Sequence, residues 1–307
     1  MVDYLCKVIP VKVYNLKKTL ALVLGSGGAR GIAHIGVIRE LIRHGYDISS
    51  ISGSSMGALV GGVYASGKLD EFEAWLCSLD KMAVFNLVDF TLSMHGIIKA
   101  DKVLKEIQKF IPDHNIEDLP IKYTAVATDV KKKTEVVITE GSLFEAIRAS
   151  ISIPLVITPM KKNDTLFLDG GMLNPIPVNR VVRKRKDILV AVDVSAHIPY
   201  KKSKPEGADS SYLERLTNGK LSSFKSKITS TFPENKKENI GYFKLISEST
   251  SMMLAQIAKL SLALNPPDML IQVSRGACGT FDFYKAEELI ELGRQATVEQ
   301  LKKSKAF

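Results

Sequence analysis

Apolar residues recur along this chain in two rhythms. Leu20–Leu24 (Leu-Ala-Leu-Val-Leu) is a continuous apolar run, the pattern of a central parallel strand buried on both faces. Behind it, Ile32–His44 places Ile35, Ile38, Leu41 and Ile42 three or four positions apart, which is helical spacing. Ile48–Ser52, β-branched and small, predicts a short strand, and Met56–Tyr64 the helix after it. The alternation continues. Helices are expected at Leu69–Leu79, at Asp101–Phe110 with Asp101 as its cap, and at Ser142–Ser150, where Ser142 and Glu145 are spaced as a capping box. Strands are expected at Ile121–Thr128, Glu135–Thr139, Thr165–Leu168 and Ile188–Val194. Such alternation predicts an α/β fold: a mainly parallel central sheet with helices on both faces.

The rhythm stops after residue 195. Residues 196–239 are rich in Lys, Ser, Asn, Pro and Gly and read as a loop or lid beside the sheet. From Ile240 to Leu264 the apolar residues Ile246, Met253, Ile257, Leu260 and Leu264 restore a helical period, and this helix is expected to pack on the sheet. Pro266-Pro267 ends that helix, Met269–Val273 gives a last strand, and Lys285–Lys303 a closing helix. The chain thus divides into an N-terminal extension (1–18), a core of alternating strands and helices (19–195), a basic loop or lid (196–239) and a helical part completing the same domain (240–307).

Composition narrows the class. A chain of 307 residues, 45% hydrophobic, suits one large α/β domain. Cys6, Cys77 and Cys278 show neither disulfide nor metal spacing, so a reducing compartment is expected. Lys7, Lys12, Lys17 and Lys18 interrupt any leader-like apolar run, and no stretch reaches the length of a membrane span. A cytoplasmic protein, able to sit peripherally at the inner membrane surface, is the expectation. Residues 181–244 hold 14 Lys/Arg against 7 Asp/Glu, most of the chain's net charge of +9. A basic face of this kind attracts an anionic membrane surface, and equally describes a solvated loop. Nucleic acid is not expected, for the segment has few aromatics and no recognition motif. Oligomeric state stays open, a homodimer included.

Three motifs carry candidate chemistry, each placed where a predicted strand runs out. Gly53-Ser54-Ser55-Met56-Gly57 sets Ser55 on a strand–turn–helix elbow, the context that gives a G-x-S-x-G match meaning. Gly53 and Gly57 leave room for a strained turn, and the helix from Met56 aims its positive end at the serine. Gly25-Ser26-Gly27-Gly28-Ala29-Arg30-Gly31 follows the first strand. It is not a dinucleotide fingerprint, because the sixth position is Arg30 and Asp47 precedes the second strand; no Gly-Lys-Ser/Thr follows it, so it is not a phosphate-gripping loop either. Consecutive small residues can instead turn several N–H groups toward one oxyanion. The third motif is Asp169-Gly170-Gly171.

A serine nucleophile needs a base. His34 lies within an apolar helical turn and reads as a packing residue; His44 ends that helix and suits its negative terminus. His95 and His114 have no motif around them. His197 follows the Ile188–Val194 strand and, coming after Asp169, fits the Ser–Asp–His order of α/β-hydrolases. Asp169 itself, in an Asp-Gly pair, reads equally as a turn residue.

With these motifs in this order, the chain resembles the patatin-like phospholipase family. Ala29-Arg30-Gly31-Ile32-Ala33-His34-Ile35-Gly36-Val37, Arg148-Ala149-Ser150-Ile151-Ser152-Ile153-Pro154 and Asp169-Gly170-Gly171-Met172-Leu173-Asn174-Pro175-Ile176-Pro177-Val178 add to the likeness, which covers about residues 19–195. The resemblance implies a three-layer α/β fold and hydrolysis of lipid acyl esters, phospholipid among them. It implies a Ser55–Asp169 dyad without a catalytic histidine, supported by Gly53, Gly57, Gly170 and Gly171. It also implies an oxyanion hole from Gly27, Gly28, Ala29, Arg30 and Gly31, joined by Met56, and no metal or cofactor. Two alternatives remain: a Ser–His–Asp carboxylesterase using His197, and a weakly active lipid-binding or regulatory protein on the same fold. On this reading the Met252-Met253-Leu254 region could also line an acyl pocket or touch a membrane.

Overall fold

Strand β1 (Lys18–Leu24) runs into a 3-10 turn (Gly28–Ile32) and helix α1 (Ala33–Arg43), then β2 (Tyr46–Ser54) and α2 (Met56–Ala65). Next come α3 (Leu69–Cys77), α4 (Lys81–Leu87), the hairpin β3 (Asp89–Ser93) and β4 (Gly96–Lys99), and α5 (Ala100–Gln108). Strands β5 (Lys122–Asp129) and β6 (Thr134–Ile138) precede α6 (Leu143–Ser150), β7 (Met160–Lys162), β8 (Thr165–Asp169) and β9 (Ile188–Ala196). Helix α7 (Tyr242–Leu264), β10 (Met269–Ser274) and α8 (Ala286–Ser304) close the chain. This computed structural model describes residues 18–87, 89–93, 96–154, 156–200 and 242–304. Residues 1–17 of the N-terminal extension and nearly all of the basic 196–239 segment therefore lie outside the described residues, as do His95 and Cys6.

The main sheet has the order β10-β9-β1-β2-β5-β8-β7, with β6 on β5. From β10 to β5 every pairing is parallel, as the continuous apolar runs predict; β6, β7 and β8 pair antiparallel. One register places the chemistry. Along β5, Val126 is opposite Ser54 of β2, and the next residue, Ala127, is opposite Asp169 of β8. Strand β6 pairs with both Val126 and Ala127, so it holds the other side of β5. Strands β2 and β8 therefore arrive end to end on the same side, and the last residue of each meets the other across one step of β5.

Alternation along β1 splits the core. Leu24 meets α2 at Gly61, whereas Ala21 and Val23 join Ile176, Val178, Leu189 and Ala191 in a second cluster under Ala258 and Leu262 of α7. On the α2 side, α1 and α8 cross at near backbone contact: a Cβ on Gly36 would strike the Ile290 carbonyl, and one on Gly293 the Ala33 carbonyl. The chain divides into two compact units, residues 1–199 with 254–307, which carry the sheet, and residues 200–253.

Two local expectations are corrected. The helix expected from Ile32 opens as a 3-10 turn at Gly28, and α1 proper begins at Ala33. Asp101 does not cap α5, which starts one residue earlier; its carboxylate takes the Arg148 Nε–H at 2.7 Å instead. Helix α7 packs on the sheet as expected, although Leu260 and Leu264 of its apolar stripe are 52% and 80% exposed. Ala258 and Leu262 make the docking face against the sheet cluster, and Ser261 Oγ donates to the Ile176 carbonyl at 3.0 Å. The Ser142 cap of α6 forms as expected, accepting from Glu145 N at 3.0 Å, while the Glu145 carboxylate pairs with Lys162.

Candidate active site

Ser55 sits between β2 and α2 with φ 56° and ψ −126°, a left-handed conformation that costs a non-glycine residue about 1–3 kcal/mol. Its surroundings hold it there. A Cβ on Gly53 would strike the Gly57 carbonyl, and one on Gly57 the Leu24 carbonyl, so neither flank tolerates a side chain. The Ser55 carbonyl starts α2, accepting from Ala58 N at 2.9 Å and Leu59 N at 3.1 Å. Its N–H donates to Ser150 Oγ at 2.9 Å. Among the described residues the Met56 N–H has no hydrogen-bond partner, as expected of a first helical turn.

Ser55 Oγ–H donates to Asp169 Oδ2, and Gly171 N–H donates to Asp169 Oδ1 at 2.7 Å. Both residues are buried, Ser55 at 3% and Asp169 at 5% exposure. Burial pushes the Asp169 carboxyl up to about 7; the bonds from Ser55 and Gly171, which favour the anion, offset this only in part. A carboxyl titrating near neutrality can both take and return a proton under ordinary conditions.

The glycine-rich loop is pinned on all sides. Gly25 N–H donates to Val192 O at 3.0 Å, Ser26 N–H to Pro175 O at 2.8 Å, and Ala29 N–H to Thr280 O at 2.9 Å. Buried His34 bonds the Gly25 carbonyl through Nε2 at 2.8 Å. Burial lowers its pKa to about 4, so the ring is neutral, and a bond to a carbonyl requires the proton on Nε2. His34 is thus the packing residue expected, and it also fixes the loop. Gly28 has φ +56°, and a Cβ there would lie 2.8 Å from the Thr280 carbonyl. A Cβ on Gly31 would enter the Met56 side chain, so the loop lies directly on the start of α2.

This narrows the expected donors. The Ala29 N–H is committed to Thr280 and is not available to an oxyanion. Gly27 and Gly28 N–H have no hydrogen-bond partner among the described residues. Arg30 and Gly31 lie inside the 3-10 turn. The Arg30 guanidinium serves as a strut, its Nη1 donating to Cys278 O at 3.2 Å and its Nη2 reaching Ser195 Oγ at 3.5 Å. Gly170 and Gly171 pack tightly: a Cβ on Gly170 would strike Val126 O, and one on Gly171 would sit 2.9 Å from Asp169 Oδ1 and from Ser26 Oγ.

The histidines stand elsewhere. His197 is exposed, with Nε2 at 3.2 Å from Arg275 Nη1, and the donors on the Asp169 oxygens are Ser55 and Gly171. His44 Nδ1 bonds Glu40 O at 3.0 Å at the end of α1. Among the described residues no group of three or more His, Cys, Asp or Glu converges as a metal site. Sequence reasoning missed Thr280, which supports the loop from far along the chain. Ser150, within Arg-Ala-Ser-Ile-Ser-Ile-Pro at the end of a helix, has a role that only the structure shows, its buried hydroxyl bonding Ser55 N–H and Val126 O.

Residues 22–182 match the family model described as patatin-like phospholipase, a span containing the whole glycine-rich loop, the elbow and the Asp-Gly-Gly turn. The chain belongs to the patatin-like phospholipase family. Within it, a Mycobacterium tuberculosis protein described as an uncharacterized NTE family protein is 36% identical over 328 residues, covering 92% of this chain and 91% of the relative. The lysophospholipase NTE1 of Kluyveromyces lactis is 32% identical over 187 residues, 58% of this chain but 13% of that protein. The solved structure of VipD from Legionella pneumophila aligns with a TM-score of 0.47 and 14% identity, over 94% of this chain and 67% of that one. For a patatin-like phospholipase, the mainly parallel sheet and surrounding helices are the expected fold. None of the described helices is long and apolar enough to cross a membrane.

Proposed function

We propose that this protein is a serine lipid acyl hydrolase of the phospholipase A or lysophospholipase type, working through a Ser55–Asp169 dyad. The observation that carries this reading is the Ser55 hydroxyl, held on a strained elbow and donating directly to a buried carboxylate. Family membership, and a lysophospholipase among the relatives, support the lipid ester as substrate.

In the reaction, Ser55 Oγ attacks the ester carbonyl while its proton passes to Asp169 Oδ2. The carbonyl electron pair moves to oxygen, where the N–H groups of Gly27, Gly28 and Met56 receive it; one such donor is typically worth about 10²–10³ in rate. Collapse breaks the ester C–O bond, and Asp169 returns the proton to the departing alcohol. An acyl-enzyme remains. Water then attacks it, giving its proton to Asp169, and the second collapse releases the fatty acid and restores Ser55. Incubation with a panel of phospholipids and lysophospholipids, followed by mass spectrometry, should show free fatty acid from the native chain and none from Ser55→Ala. Hydrolysis of no panel member would overturn the assignment.

The basic excess of residues 181–244 supports a peripheral contact with anionic membrane. Exposed charges are screened over about 8–10 Å at physiological salt. Liposome binding should therefore rise with anionic lipid content and fall as salt is added; binding indifferent to salt would leave the segment a solvated loop.

A further inference from the structure

We infer that the segment Arg148–Ser152, at the end of α6, is a clamp that sets the distance between Ser55 and Asp169, with Ser150 and Arg148 as positioning residues. The inference rests on the dyad proposed above. Its basis is a pair of hydrogen bonds from one short stretch of chain. The Ser150 hydroxyl accepts the Ser55 N–H at 2.9 Å, and two residues on, the Ser152 carbonyl accepts the Asp169 N–H at 2.9 Å. The backbones of both partners thus hang from the same turn.

That turn is itself anchored. Ser150 Oγ–H donates to Val126 O at 2.6 Å, the residue of β5 opposite Ser54. Arg148 Nη1 donates to Ser152 Oγ at 2.8 Å and Nη2 to Thr158 O at 3.0 Å, while Nε binds Asp101. Ser150 and Ser152 are fully buried. A buried serine with one acceptor role and one donor role filled has a single favourable hydroxyl orientation, which is what a fixed spacing requires.

The strained elbow makes this matter. Ser55 is held in the left-handed region, and its N–H bond to Ser150 Oγ ties that conformation to β5. Without the hydroxyl, the Ser55 N–H and Val126 O lose their partner together. Relaxation of the turn then moves Oγ away from Oδ2, and a displacement of about 1 Å can cost about 100-fold in rate.

The test measures rate per competent site. A fluorophosphonate probe counts the reactive Ser55 in each preparation, so loss of folded protein is separated from loss of positioning. For Ser150→Ala, labelling should reach the native stoichiometry while its rate constant and the per-site kcat on a lysophospholipid fall by about 10- to 100-fold, with KM within about twofold. The acid limb of its pH–rate profile should move to higher pH, since a weakened Ser55 bond no longer favours the Asp169 anion. Arg148→Met should show the same pattern in weaker form, and decides the matter should Ser150→Ala not fold. Native per-site rate and an unmoved acid limb in the folded variant would overturn the clamp. Failure of the native chain to label at Ser55 would refute the dyad instead, and is read in the same assay.

Discussion

Ser55→Ala should take no fluorophosphonate label, and its esterase activity should fall to background while fold and stability persist. Removing a nucleophile that acts together with its base typically costs several orders of magnitude in kcat, and what survives comes from binding and the oxyanion donors. The fold should hold because alanine keeps every backbone bond of the elbow: Ser55 N–H to Ser150 and the α2 bonds to its carbonyl need no hydroxyl. Mass spectrometry of the labelled native protein should place the probe on Ser55 alone. Labelling of Ser55→Ala at the native level would remove that residue from the mechanism.

Asp169→Asn should be as inactive as Ser55→Ala, and His197→Ala should keep most of its activity. An amide cannot accept the serine proton, whereas exposed His197 is bonded to Arg275 and makes no hydrogen bond to Ser55 or Asp169. The pH profile needs care in reading. Because burial lifts Asp169 to about 7, kcat/KM should rise through neutrality as the carboxylate ionises, with no histidine involved. An acid limb near 7 that survives His197→Ala therefore supports the dyad; one abolished by His197→Ala supports a triad. The same shift gives an independent readout of folding. The folded carboxyl titrates above its unfolded value of about 3.9, so its contribution to stability is complete below that value and is lost as pH rises through 7. Asp169→Asn should accordingly melt no lower than the native chain at pH 8, and inactivity in a well-folded variant isolates the proton acceptor.

Much of this site was legible because its parts are local. Leu20–Leu24, the elbow at Ser55 and the Asp169-Gly170-Gly171 turn each declare themselves within a few residues, through apolar runs and the glycines that a tight turn demands. What the sequence hid is long-range. That β8 runs antiparallel and meets β2 head-on along β5 follows from register, to which no single segment points. The short α4 and the β3–β4 hairpin were not foreseen, for neither shows a sustained period. Helix α7 packs on the sheet through Ala258 and Leu262, with Ser261 bonded to Ile176, a face offset from the Leu260 and Leu264 positions that mark its period in the sequence. Among the oxyanion candidates, spacing could not tell that Ala29 is spent on Thr280 while Gly27 and Gly28 are not.

Thr280 also has a bearing on how the protein comes into being. On a ribosome, the loop of residues 25–31 emerges early, yet the carbonyl that holds Ala29 and crowds Gly28 is made some 250 positions later. The crossing of α1 with α8, through Gly36 and Gly293, joins the first helix to the last in the same way. Closing so long a loop carries an entropic cost that no early contact repays. A chain cut before Thr280 would hold all three motifs yet lack both the carbonyl that pins Ala29 and the α8 face against which α1 packs.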